Sequence, residues 1–325
     1  MTKDSGLQVS SRRLIRERVG LIVNGTNAAA AIKTIAAAEA AGVQQIWMTN
    51  IPWSPDVLTT FAAAAIKTSR ICLGTSILPT YPRHPVVLAQ QVLALHDIAQ
   101  GRLRLGIGPS HRAIIEDIYG LHQTKPLVHL REYVKVLHSI FWDGKVDHHG
   151  EFFNIVIEFP RKVQIPVLIS TLGKKAFELA GEVADGALSW MCPVPYLLHT
   201  GIPSLRKAAA ANGRSNSPPL VAHVPVALSQ DHNSVMAAGH KMFDMYAKLP
   251  FYVKMFADAG FPQTSDKKVT DDLVNNMIIS GNEDTMATSF TKLLAAGLDE
   301  LIITLVPVVD EDHEQTQLMR LIGQL

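Results

Sequence analysis

Short apolar runs, rich in β-branched residues, alternate along the chain with longer stretches whose apolar positions recur every three to four residues. The first pattern predicts buried strands and the second amphipathic helices. The runs Val19–Val23, Val43–Met48, Ile71–Ile77, Leu103–Gly108, Val167–Ser170, Gly186–Trp190, Leu220–Leu228 and Glu300–Val306 predict eight strands. The helical stretches between and after them are Asn27–Ala41, Pro55–Lys67, Pro85–Gln100, several segments up to Trp142, Lys174–Ala184, a helix ending near Asn212, a long helical region and a final helix to about Ile322. The punctuation agrees: Asn27 suits an N-cap, Gly42 a helix stop and Pro85 a first turn.

Right-handed crossovers make strands in such a series parallel. Eight strand–helix units close naturally into an α/β (β/α)8 TIM barrel, with an open doubly wound sheet as the alternative. Two stretches interrupt the repeat. Asp143–Pro166, before the fifth strand, alternates apolar and polar residues after an Asp-Gly turn and predicts a hairpin or extended excursion. Lys248–Asp272, between the seventh and eighth strands, carries Phe251, Tyr252, Met255 and Phe256. It is either a lid over the barrel or a helix covering its side. The division expected is a flexible arm over residues 1–17 and one barrel domain over 18–325.

A chain of 325 residues with 47% hydrophobic content can bury a core of that size. Net charge is +1 and basic residues are not clustered, so nucleic acid is not an expected partner. The two cysteines, Cys72 and Cys192, read as buried thiols in a reducing compartment, and the histidines lack metal-ligand spacing. The N-terminus has no signal-peptide pattern, and no apolar run of about 18 residues predicts a membrane span. A cytoplasmic enzyme is the expectation.

Barrel enzymes work at the C-terminal ends of their strands. There the third strand runs into "TYPRHP" (Thr80–Pro85), a stiff polar loop. The other strand ends bring Met48–Trp53, Gly106–Arg112, Ser170–Lys175, Trp190–Pro195 and Thr304–Val309. This mouth is apolar, Pro-rich and poor in charge, with no carboxylate pair and no Ser-His-Asp order. It suits a flat aromatic ligand better than side-chain hydrolysis. Ser170, Thr171 and Gly173 precede a helix beginning near Lys174. Free N–H groups and the helix dipole there favour a phosphate, although an ordinary helix cap explains the same residues.

The segment Leu73–His111, with its R-H-P, A-Q-Q and G-R-x-x-L-G-I-G blocks, resembles the luciferase-like monooxygenase superfamily. Arg131–Ile155 and Leu172–Trp190 are similar to two further blocks, so the resemblance covers most of Gly20–Asp310. "GIGPSH" and "ELAGEVADG" resemble the branch that uses coenzyme F420, a deazaflavin.

The resemblance implies a TIM barrel, an oxidoreductase and a homodimer packed through helices two and three. It implies a cis peptide at Ser76–Ile77 behind the deazaflavin ring. Gly74, Ser76, Ile77, Asn50, Gly108 and Ser110 would lie beside that ring, and Thr171, Leu172, Gly173 and Lys174 would hold the phosphate. Many relatives carry Asp-His after the second strand, where this chain has Asn50-Ile51, which supplies no base. His111 is then the candidate acid, against the alternative of a histidine at a helix start. Arg83 and His84 either wall the ring or brace the third helix, and capping is favoured for His84. The implied reaction is hydride transfer between coenzyme F420 and a small organic substrate, reducing an activated C=C or C=N bond. The alternatives are an FMN-dependent monooxygenase and a non-catalytic flavin-binding protein.

Overall fold

A computed structural model describes residues 13–325. Eight parallel strands form the barrel: β1 (Val19–Ile22), β2 (Gln45–Met48), β3 (Cys72–Thr75), β4 (Leu103–Gly108), β5 (Val167–Thr171), β6 (Gly186–Ser189), β7 (Leu220–Ala227) and β8 (Glu300–Leu305). They pair in sequence order, and β8 with β1 closes the ring through Val19 opposite Leu301. The principal outer helices are α1 (Ala28–Ala40), α2 (Val57–Lys67), α3 (Pro85–Ile98), α4 (Pro126–His138), α5 (Lys174–Val183), α6 (Ile202–Ala211), α7 (Glu283–Ala295) and α8 (Glu311–Gln324). The expected barrel is therefore the fold. Among the described residues no helix is long and apolar enough to cross a membrane.

Caps set several of these boundaries. Asn27 accepts the Ala30 amide at α1, Asp56 accepts that of Thr59 at α2, and His84 Nδ1 accepts that of Val86 at α3. His84 is thus the cap favoured on sequence grounds. Arg83 pairs with Asp56, and its carbonyl accepts the Tyr133 hydroxyl at 2.9 Å. Tyr81 stacks on His129 at 4.0 Å. The polar loop after the third strand thereby locks α2, α3 and α4 together.

The third strand differs from its expected run to Ile77. It stops at Thr75, the Ser76–Ile77 peptide is cis, and Leu78–Pro79 then resumes pairing with Ile107 and Gly108 of β4. The first excursion is the expected hairpin, Lys145–His149 against Asn154–Glu158. Glu132 of α4 anchors it by accepting the amides of Glu151, Phe152 and Phe153. The second excursion is helical, with a 3-10 turn at Tyr246–Lys248 and helices Pro250–Asp258 and Asp271–Met277. Of the expected arm, residues 1–12 lie outside the described residues. Ile15–Glu17 forms a 3-10 turn, and Arg13 reaches Glu300 at 3.1 Å.

The barrel interior is filled rather than open. Trp47 is fully buried and packs with Ile22, Leu168, Leu188, Val221 and Ile302. Its indole needs space taken from neighbouring strands. A Cβ on Gly20 would lie 2.8 Å from its Nε1, and one on Gly74 would overlap the ring. Towards the N-terminal end, Arg104 donates to both oxygens of Glu300 at 2.6 and 3.2 Å. Gln45 accepts from Trp47 and Arg104, and donates to Glu300. Burial opposes the Glu300 charge, but Arg104 and Arg13 outweigh it and hold the carboxyl below its ordinary range. This ionic layer leaves the opposite end of the barrel for chemistry.

Candidate active site

The bulge after β3 sits at that opposite end. Ser76 N–H donates to Met48 O at 2.8 Å, while its buried hydroxyl has no hydrogen-bond partner among the described residues. Beside it, β4 presents Gly108, whose carbonyl accepts the Thr80 amide at 2.9 Å. A Cβ on Gly108 would overlap Ser170 Oγ and stand 3.2 Å from Ile77 Cδ1. The absent side chain thus lets the bulge, β4 and β5 converge. Gly74 lies deeper, against Trp47, and Thr75 Oγ1 donates to Gly106 O at 2.7 Å to pin the strand below the bulge.

The turn after β4 is clasped from one side. Gln123 donates to the carbonyls of Pro109 at 2.7 Å and Ser110 at 3.2 Å, which holds Ser110 at a left-handed φ of 61°. His111 follows, and its ring nitrogens have no partner among the described residues. The ring lies 5.7 Å from that of Tyr252. Burial pushes its pKa below the ordinary histidine range, so the ring is neutral at neutral pH.

After β5 the chain leaves a row of backbone donors free. Gly173 occupies the N-cap of α5 without a side-chain cap, and the amides of Gly173, Lys174 and Lys175 find no acceptor among the described residues. A Cβ on Gly173 would meet nothing within 4 Å. Thr171 uses its hydroxyl on Leu188 O at 3.2 Å, and Leu172 O accepts Tyr196 OH at 3.2 Å. Backbone N–H groups and the exposed Lys174 are therefore the groups left for an anion.

Asn50 Oδ1 weakly accepts the Val57 amide at 3.4 Å, which places Asn50 at the start of α2. Nearby, a cleft of about 330 Å³ is lined by Asn24, Thr49, Ile51, Trp53 and Pro55 among others, and Trp53 is 70% exposed.

Two further groups escaped the sequence reading. His223 lies on β7, stacked on Trp190 at 3.9 Å. Its Nδ1 accepts the Met191 amide at 3.4 Å, so the proton is assigned to Nε2, which faces Thr304 Oγ1 at 2.6 Å. Burial drives its pKa down to about 3. The available signal was a histidine in the middle of an apolar strand. The second is the aromatic contact between the late excursion and the mouth. Trp190 Nε1 donates to Tyr246 OH at 2.9 Å, and Tyr246 packs on Tyr252 at 4.8 Å. Among the described residues no group of three His, Cys, Asp or Glu side chains is arranged to hold a metal ion.

A TIM barrel with a cis bulge after β3 and an uncapped helix start after β5 sets the class of fold. The luciferase-like monooxygenase family model matches residues 13–300, and the chain belongs to that family. An uncharacterized protein of Mycobacterium tuberculosis is 33% identical over 224 residues, covering 64% of this chain and 66% of that protein. An F420-dependent glucose-6-phosphate dehydrogenase of Kineococcus radiotolerans is 26% identical over 304 residues, covering 86% and 88%. Among solved structures, an F420-dependent secondary alcohol dehydrogenase in complex with an F420–acetone adduct superposes with a TM-score of 0.79 at 17% identity, covering 94% of this chain and 97% of that one.

Proposed function

We propose that this enzyme transfers a hydride between coenzyme F420 and a small organic substrate, reducing an activated C=C or C=N bond. The observation that carries the reading is the uncapped, unobstructed N-terminus of α5, set at the same barrel end as the Ser76–Ile77 bulge. The relative described as F420-dependent across 86% of the chain supports the choice of cofactor.

The residues present fit the group. The amides of Gly173, Lys174 and Lys175 would bind its phosphate, with Lys174 adding charge. Ser76, Ile77, Gly108 and Ser110 would flank its ring, and the unpartnered Ser76 hydroxyl would find there the partner a buried hydroxyl requires. When bound, a deazaflavin supplies C5 as the hydride donor or acceptor. Asn50 offers an amide but no ionisable group. His111 would act as the acid in its protonated form, delivering one ring proton to the substrate as negative charge develops and returning to the neutral imidazole.

Titration of the purified protein with F420 and with FMN, followed by absorbance and fluorescence, tests the reading. FMN carries a phosphate that the same amides would accept. Tighter binding of FMN, with oxygen consumption in the presence of a flavin reductase, would replace the deazaflavin by a flavin.

A homodimer through α2 and α3 is part of the same proposal. Ile66 at 72%, Val87 and Ile98 are exposed apolar side chains on these helices, which supports a covered face. Light scattering that returns the 35.5 kDa mass of one chain would remove it.

A further inference from the structure

Three tyrosines are buried: Tyr133, Tyr196 and Tyr252. The first two place their hydroxyls on backbone carbonyls, Tyr133 on Arg83 and Tyr196 on Leu172. The half-buried Tyr81 and Tyr246 are also satisfied, by Thr124 O and by Trp190 Nε1. The Tyr252 hydroxyl has no hydrogen-bond partner among the described residues, although the residue is only 5% exposed. The hydroxyl is not sealed in: among the described residues the side-chain polar atoms that are both enclosed and unpaired belong to Ser76, Arg104 and Ser189, so Tyr252 presents a free donor to whatever fills the mouth.

Its surroundings locate it. The helix Pro250–Asp258 carries Tyr252 against His111, which follows β4, and against Tyr246, which is bonded to Trp190 at the end of β6. Phe256 closes its other flank at 6.0 Å. The cations flanking this position are paired, Arg112 with Glu116 and Lys254 with Asp258. An aromatic wall with one unused hydroxyl suits a neutral compound bearing an acceptor oxygen better than it suits a carboxylate or phosphate.

We propose that Tyr252 contacts the substrate directly, its hydroxyl donating a hydrogen bond to the carbonyl oxygen of a neutral organic substrate at the barrel mouth. The assignment rests on the reading that the mouth holds a deazaflavin and a reducible substrate. The phenol keeps its proton throughout. Its hydrogen bond orients the carbonyl and strengthens as charge builds on that oxygen. The late excursion is then the element through which the barrel selects its substrate.

The test uses 2-cyclohexen-1-one as the carbonyl probe, cyclohexene as its counterpart without oxygen, and glucose 6-phosphate as the anion. Each is titrated by calorimetry into the F420-loaded protein and its Tyr252→Phe variant. The ring of the variant packs as before, so the fold is retained. The ketone should bind the parent more tightly than cyclohexene does, and the variant should lose about tenfold for the ketone alone. F420 and cyclohexene affinities should not change. Equal ketone affinity in parent and variant, absence of ketone binding, or preference for the anion would overturn the assignment. Failure of the parent to bind F420 would overturn the cofactor reading instead. The same ketone comparison on the cofactor-free protein would then decide the role of Tyr252 separately.

Discussion

The indole of Trp47 occupies the space that a side chain on Gly74 would need. A Cβ at Gly74 would overlap Trp47 Cδ2 and Cε3, and the neighbouring Arg104 guanidinium lies 5.0 Å from the same ring. Gly74→Ala should therefore push the indole into a filled layer of the barrel. The expected cost is about 1–3 kcal/mol of stability, the usual range for overpacking. Urea unfolding of the variant checks it, and an unchanged midpoint would mean that the ring has room to shift.

Gly173 offers the opposite case, since a side chain there meets no protein atom within 4 Å. Gly173→Asp should leave the thermal midpoint unchanged and abolish binding of a phosphate-bearing cofactor, because it places negative charge where an anion must approach. Undiminished F420 affinity in this variant would put the phosphate elsewhere.

His111→Gln keeps polarity and approximate size but removes proton delivery. The rate should fall by about 10²–10⁴, the range expected for a general acid. F420 affinity should stay within a few-fold of the parent. Burial lowers the His111 pKa from its ordinary 6.5, so the protonated ring becomes abundant only below that pH. The parent's reductive rate should accordingly rise as pH falls through and below 6.5, and the variant's should not. A flat profile in the parent would make solvent the proton source.

His223 is expected to make the fold acid-sensitive. Its pKa falls from 6.5 to about 3 on burial, so between these values the unfolded chain binds the proton and the native protein does not. Stability from this group is complete above pH 6.5 and declines as pH drops towards 3. Urea midpoints measured at pH 7 and pH 5 should differ more in the parent than in His223→Gln. Equal differences would assign the acid sensitivity to carboxylates such as Glu300.

Much of the architecture was legible along the chain because barrel strands and helices carry local signals. The run Leu220–Leu228 has its counterpart in β7, Leu220–Ala227. His84-Pro85 reads as a cap and a first turn, and that is what it forms. The third strand was read two residues too long, since an apolar run does not reveal where the backbone leaves the ladder. The ionic layer was missed for another reason. Arg104 and Glu300 are 196 positions apart, and neither has a local partner that announces the pair. Tyr252 was visible only as part of an aromatic excursion.

The sequence by itself determined the alternation of eight strands and helices, the caps that start α1 and α3, and the Ser170-Thr171-Leu172-Gly173 approach to α5. These depend on periodicity and on the conformational limits of single residues, which act over a few positions. Tertiary structure decided which groups face one another inside the closed ring. It set Trp47 against Gly74, Arg104 against Glu300, His223 under Trp190 and Tyr252 beside His111. Those pairings follow from barrel register and from how the late excursion packs on the strand ends. Both come from filling one volume with side chains from every strand, which no local stretch encodes.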